Sequence, residues 1–163
     1  MNKSESFFVN PKENIEDKFK ESKVRSEDGK LLTVYHYSDN DFDEFSSTPK
    51  KGNYEGDNGF FGAGIYFTDT EDAFQYGKRR YAAYLNLKNP LVIKNPNTED
   101  IKNLHGKSKE LLNQGYDGVM IWNDEIKDET RTIFGKPQLI RGKRAGWSEI
   151  VVLSPDDIHI IEK

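Results

Sequence analysis

Cysteine is absent from this sequence, which excludes disulfides, thiolate-ligated zinc and thiol nucleophiles together. Histidine is scarce: His36, His105 and His159 fall on three separate segments. That scatter is not a ligand set, so no metal site is expected. No apolar run reaches membrane-spanning length, and Phe7-Phe8-Val9 near the N-terminus is too short for a secretory leader. A soluble, cytoplasmic domain is the expectation. Positive charge is not in surplus either. A net charge of −4 argues against binding nucleic acid across the whole surface, although a local basic patch remains open. Hydrophobic residues reach only 34%, so the aromatics, at 12%, must supply much of the buried surface.

What is present reads as a single domain spanning residues 1–163, long enough to bury a core. Asn10-Pro11 with Glu13 forms a helix start, and a charged helix is predicted from about Pro11 to Ser22. LLTVYHYS then reads as a strand. Residues 39–60, rich in Asp, Gly, Asn and Ser, read as a long irregular loop of the functional or mobile kind. GIYFT reads as a strand, followed by a brief helix from Asp69 or Thr70 that Gly77 ends. RYAAYLNL and PLVIK are strands about the Asn89-Pro90 turn. TEDIKNL and KSKELLNQG are helical, with a break near Gly106, and DGVMIW is a strand. Residues 123–146 are expected to be a second long loop, acidic at first and then basic. SEIVVL and DIHII close the chain as strands. Many short strands with few helices predict an α+β domain on antiparallel sheets. No internal repeat is visible.

The glycine-rich stretch GFFGAGIYF is not a dinucleotide fingerprint: Phe67 stands where the last glycine belongs, and the stretch follows a loop rather than opening a helix. Three other segments, VYHYS, GIYFTDTEDAFQY and WSEIVVL, each set a polar residue on an apolar strand: His36, Tyr66 and Glu149. Singly, each has an ordinary reading as core packing or a solvated strand end. Tyr66 and Tyr76 read equally well as core aromatics or as the two walls of a slot for a flat ring.

Taken together and in this order, the segments resemble the ADP-ribosyltransferase superfamily, in its His-Tyr-Glu branch with diphtheria toxin and the poly(ADP-ribose) polymerases. His36 with Ser38 matches the first motif, Tyr66 in GIYF the second, Tyr76 the paired aromatic, and Glu149 the catalytic glutamate. DGKLLTVYHYS, YLNLKNPL, GYDGVMI and EIVVLSPDDI look closer still to small bacterial and phage transferases of polyvalent proteins. The resemblance runs from about residue 24 to the end, leaving residues 1–23 as an N-terminal helical extension. It implies split antiparallel sheets with a few flanking short helices. Two positions depart from the pattern: Tyr37 replaces the usual glycine after the histidine, and Ala73 replaces a small hydroxyl residue three before Tyr76.

The implied activity is mono-ADP-ribosylation, with NAD as co-substrate and no metal. Glu149, His36 and Tyr66 are the implied catalytic residues, and His36, Tyr37, Ser38, Tyr66 and Tyr76 the implied NAD contacts. The tyrosines would sandwich nicotinamide, His36 would donate to the adenosine ribose, and Glu149 would accept from the hydroxyls of the nicotinamide ribose as positive charge develops. Arginine-modifying relatives carry a second glutamate where this chain has Trp147, so arginine is not the expected acceptor. Lys136, Arg141, Lys143 and Arg144 would meet a macromolecule, an acidic protein patch more readily than a nucleic acid. They read equally as a solvated loop balanced by the acids before it. Lys50 or Lys51 would lie near the NAD phosphates. With water as acceptor the same residues make an NAD glycohydrolase; without turnover, a module that binds NAD or nucleic acid. The resemblance points to a phage effector or bacterial toxin, acting in the host cytoplasm if phage-encoded.

Overall fold

The computed structural model describes residues 11–45, 57–59, 61–124, 129–140 and 146–163. Branched and aromatic side chains concentrate in its strands, where they suit a pleated, half-buried surface. One antiparallel sheet places β4 (Arg79–Leu85) between β1 (Val34–Ser38) and β10 (Ile158–Glu162). A second sheet runs in the order β2 (Asp57–Gly59), β3 (Gly62–Phe67), β9 (Gly146–Val152), β6 (Gly118–Asn123) and β5 (Pro90–Lys94). A third is the separate hairpin of β7 (Glu129–Ile133) and β8 (Lys136–Ile140). The helices are short: α1 (Pro11–Lys18), α2 (Thr98–Asn103) and α3 (Ser108–Asn113). The class is therefore α+β, with mostly antiparallel sheets. No helix among the described residues is long and apolar enough to cross a membrane.

The first two sheets pack face to face. Val34, Tyr81, Ala83 and Leu85 of one meet Ile65, Phe67, Met120, Ile150 and Val152 of the other, all at most 2% exposed. The far face of the five-stranded sheet buries Val119, Ile121 and Val151 against Leu111 of α3, with Ile101 and Leu104 beside them. Near the N-terminus, Ile15 and Phe19 pack with Leu31 against Tyr84 of β4. The two large sheets also join through main chain. Tyr35 donates to the Thr68 carbonyl at 2.8 Å, and Thr68 donates back at 2.9 Å.

Several expectations need correction. The first helix ends at Lys18, short of Ser22; Phe19 and Ser22 instead close turns, donating to Ile15 and Phe19 carbonyls. Asn10 lies outside the described residues. β1 starts at Val34, because Leu31 bridges Arg25 across a tight turn. The segment after β3 forms no α-helix, only a 3-10 turn at Phe74–Tyr76. β5 and β6 pair in parallel, since two helices lie between them and such a crossover lets the second strand return in the same direction. Residues 123–146 are not one loop. They contain the β7–β8 hairpin, whose two-residue turn sets Phe134 and Gly135 at φ 53° and 75°. Two left-handed residues are what a tight hairpin turn requires. Phenylalanine is not a turn residue, so local chemistry gave no sign of it.

Candidate active site

The site builds outward from β3. Its outer edge pairs with β2 at residues 62–64 and with β1 at Thr68. Between those contacts the Tyr66 carbonyl is taken by a side chain: His36 Nδ1 lies 2.8 Å away. A carbonyl only accepts, so Nδ1 carries the hydrogen and the tautomer follows. The His36 ring is 7% exposed, held edge-on by Phe45 at 5.0 Å and flanked by Phe67 at 5.6 Å. Phe42 and Tyr81 complete its aromatic surround.

Tyr66 points the other way. Its register partner on β9 is Val151, two residues from Glu149, and Glu149 sits opposite Ile121 of β6. Strand periodicity places Tyr66, Val151 and Glu149 on one face. Tyr66 and Glu149 are both half-buried there. The Tyr66 hydroxyl donates to the Gly62 carbonyl at 2.7 Å and accepts the Phe61 amide at 3.1 Å. Its ring lies nearly parallel to Phe61, 20° between planes. Gly62 permits this turn: its φ is +102°, and a β-carbon there would lie 2.7 Å from Ser108 Oγ.

The structure thus brings His36, the Tyr66 backbone and the Tyr66–Glu149 face onto neighbouring strands. Tyr76 is placed differently. It is 74% exposed on the Phe74–Tyr76 turn, and no ring contact among the described residues joins it to Tyr66. That turn is fixed close to β1, because a β-carbon on Gly77 would lie 2.5 Å from the Ser38 amide nitrogen. Lys78 strengthens the attachment by donating its amide to Asp39 Oδ1 at 2.9 Å. Tyr37 projects from β1 on the face opposite His36. Its hydroxyl donates to the Thr70 carbonyl at 2.7 Å and its ring meets Phe74 edge-on. Burial lifts the Tyr37 phenol above its ordinary pKa. The ring therefore lies under residues 70–74 rather than over the His36 face. Ser38 is buried, its Oγ accepting the Asn40 amide at 3.1 Å. Ala73 is buried and supplies no hydroxyl.

Two supporting residues carried no sequence signal. Tyr81, within an ordinary strand, uses its hydroxyl to hold the loop after β1: it donates to the Asn40 carbonyl at 2.6 Å and accepts the Phe42 amide at 3.2 Å. Asp69, read as a helix start, accepts the Trp147 amide at 3.1 Å and ties β3 to the start of the Glu149 strand. Of the basic residues, Lys136 opens β8 with an exposed side chain, whereas Arg141, Lys143, Arg144, Lys50 and Lys51 lie outside the described residues.

Chemically, the arrangement offers an orientated imidazole, an aromatic face and a carboxylate on adjoining strands. A sequence-family model described as ADP-Ribosyltransferase in polyvalent proteins matches residues 26–162. No curated protein matches the chain significantly.

Proposed function

The chain belongs to the ADP-ribosyltransferases of polyvalent proteins, and from that premise we propose that it transfers a single ADP-ribose from NAD to a macromolecule, releasing nicotinamide. The observation that carries this reading is the grouping of positions 36, 66 and 149. His36 Nδ1 bonds the Tyr66 carbonyl at 2.8 Å, while Tyr66 and Glu149 share one face of neighbouring strands. In the proposed reaction the bond between nicotinamide nitrogen and ribose carbon breaks. Nicotinamide leaves with the electron pair, the acceptor atom bonds to the carbon, and the acceptor's proton is released. Glu149 accepts from the ribose hydroxyls, a contact that strengthens as positive charge builds on the sugar. His36 orients the adenosine side, and Tyr66, with Tyr76 swung onto the ring, encloses nicotinamide through offset stacking.

The proposed acceptor is a protein with an acidic patch. Between Glu129 and Glu149 the chain has no acid but five cations, Arg131, Lys136, Arg141, Lys143 and Arg144. The hairpin within this stretch also exposes Ile133, Phe134 and Leu139. Exposed aliphatic side chains beside an aromatic suit a protein partner better than a base stack. In this reading the chain acts as a phage effector or bacterial toxin in the cytoplasm, the setting to which the resemblance of its motifs points.

Isotope-labelled NAD tests the proposal. Nicotinamide release with label on protein is expected, and Glu149→Gln should slow release by about 10²–10³-fold. Free ADP-ribose as the sole product would make the enzyme a glycohydrolase. NAD binding without any release would leave a binding module, and unchanged rates in Glu149→Gln would remove Glu149 from the chemistry.

A further inference from the structure

β9 reaches Glu149 through an irregularity. It pairs with β6 as Ile121↔Glu149 and Trp122↔Trp147, so Ser148 is an extra residue with no partner of its own. Such a bulge bends and twists its strand and re-aims the neighbouring side chain. Trp147 packs toward the inter-sheet core and meets Trp122 edge-on at 4.9 Å, whereas Glu149 lies on the Tyr66 face. An extra residue is not by itself fixed in place. A slip of one position would pair Ser148 with Ile121 and leave Glu149 as the unpaired residue, turned off its face. Side chains brace the bulge on both edges. Ser148 Oγ donates to the Ile121 carbonyl at 3.3 Å and accepts from Asn123 Nδ2 at 2.7 Å. On the other edge Asp69 Oδ2 holds the Trp147 amide, and Gly146 makes room for it: a β-carbon there would lie 2.7 Å from that oxygen.

We infer that Ser148, latched to Asn123 and Ile121, is a positioning residue that holds the bulge one place before Glu149 and so fixes where the carboxylate points. The inference rests on the proposed catalytic role of Glu149 but makes a separate structural claim. Nicotinamide release should be measured for Ser148→Ala, Ser148→Thr and Asn123→Ala, alongside cross-strand NMR contacts that distinguish a 121/149 pair from a 121/148 pair, with 122/147 as the unchanged reference. Ser148→Ala and Asn123→Ala should lower kcat by about 10- to 100-fold, the cost of displacing a reacting group by about an ångström, with KM for NAD held within about two-fold. Ser148→Thr, which keeps the hydroxyl, should restore the rate. The Ala variants should show both registers in the NMR contacts. A single unchanged register in both Ala variants overturns the inference, as does a kcat within about two-fold of the parent or a Thr variant as slow as Ala. If the parent protein releases no nicotinamide, the catalytic reading fails. The register contacts then decide the positioning claim alone: mixed registers support it and one register sinks it.

Discussion

Tyr81 shows how much of the His36 environment depends on a residue that touches no reacting atom. It is 1% exposed, stacks on Phe42 at 4.2 Å, and its hydroxyl bonds both the Asn40 carbonyl and the Phe42 amide. Tyr81→Phe keeps the ring but removes the hydroxyl from the buried Phe42 amide and the half-buried Asn40 carbonyl, so a loss of about 1–3 kcal/mol is expected in denaturant unfolding. The Phe42 wall beside His36 should loosen with it, raising KM for NAD more than it lowers kcat. A second residue predicts pH behaviour. Burial, with the nearby Asp117 carboxylate adding to it, raises the Asp157 pKa to about 6 from an unfolded value of 3.8. The folded chain thus binds a proton that the unfolded chain lacks between about pH 4 and 6, so this group's contribution to stability falls as pH rises through that window. Asp157→Asn should raise Tm at pH 7.5 and flatten the Tm-versus-pH curve between those values. His36, Tyr66 and Glu149 could be proposed from the sequence because each sits in a short local phrase. Tyr81 and Asp69 could not, because their partners lie about forty and eighty residues away, and no nearby pattern encodes such a bond.

Elements were legible where punctuation was strong. PLVIK begins at a proline and appears as β5 with the expected bounds, and the break at Gly106 separates α2 from α3. The turn carrying Tyr76 was overestimated, since capping residues were present but no apolar stripe drove a helix. Its place is instead set by contact. Gly77→Ala puts a methyl within 2.5–2.8 Å of three Ser38 backbone atoms, and backbone in a strand has little room to yield. NAD affinity should drop while the inter-sheet core stays folded, which calorimetry and near-UV circular dichroism together would show; undiminished affinity would separate this turn from the binding site. The hairpin offers the opposite case. Phe134 is 100% exposed and left-handed, a conformation costing about 1 kcal/mol or more in a bulky residue. Phe134→Asn should relieve that cost and hold or raise Tm. It should also reduce label transfer to protein while leaving nicotinamide release unchanged, and equal loss of both would show that the tip acts on the chemistry instead.

At the scale of the molecule, composition set the class correctly, because many short strands without long periodic helices leave few other ways to build a core. The parallel β5–β6 pair and the separate third sheet were out of reach, since both depend on which segments meet rather than on what each contains. Charge is likewise divided unevenly: an acidic whole carries an acid-free basic stretch before Glu149. Exposed charges are screened by salt, so label transfer to a protein acceptor should weaken as ionic strength rises, with NAD cleavage nearly constant. A transfer rate indifferent to salt would assign recognition to the apolar tip alone.

Among the described residues the β7–β8 hairpin shares no ladder with either large sheet, so its sequence answers to few strand-pairing constraints. Natural variation can rewrite such a cassette without disturbing the strands that carry the proposed NAD site. If the hairpin reads the proposed protein acceptor, one grafted from a sister family member should redirect label transfer and leave thermal tolerance where it was.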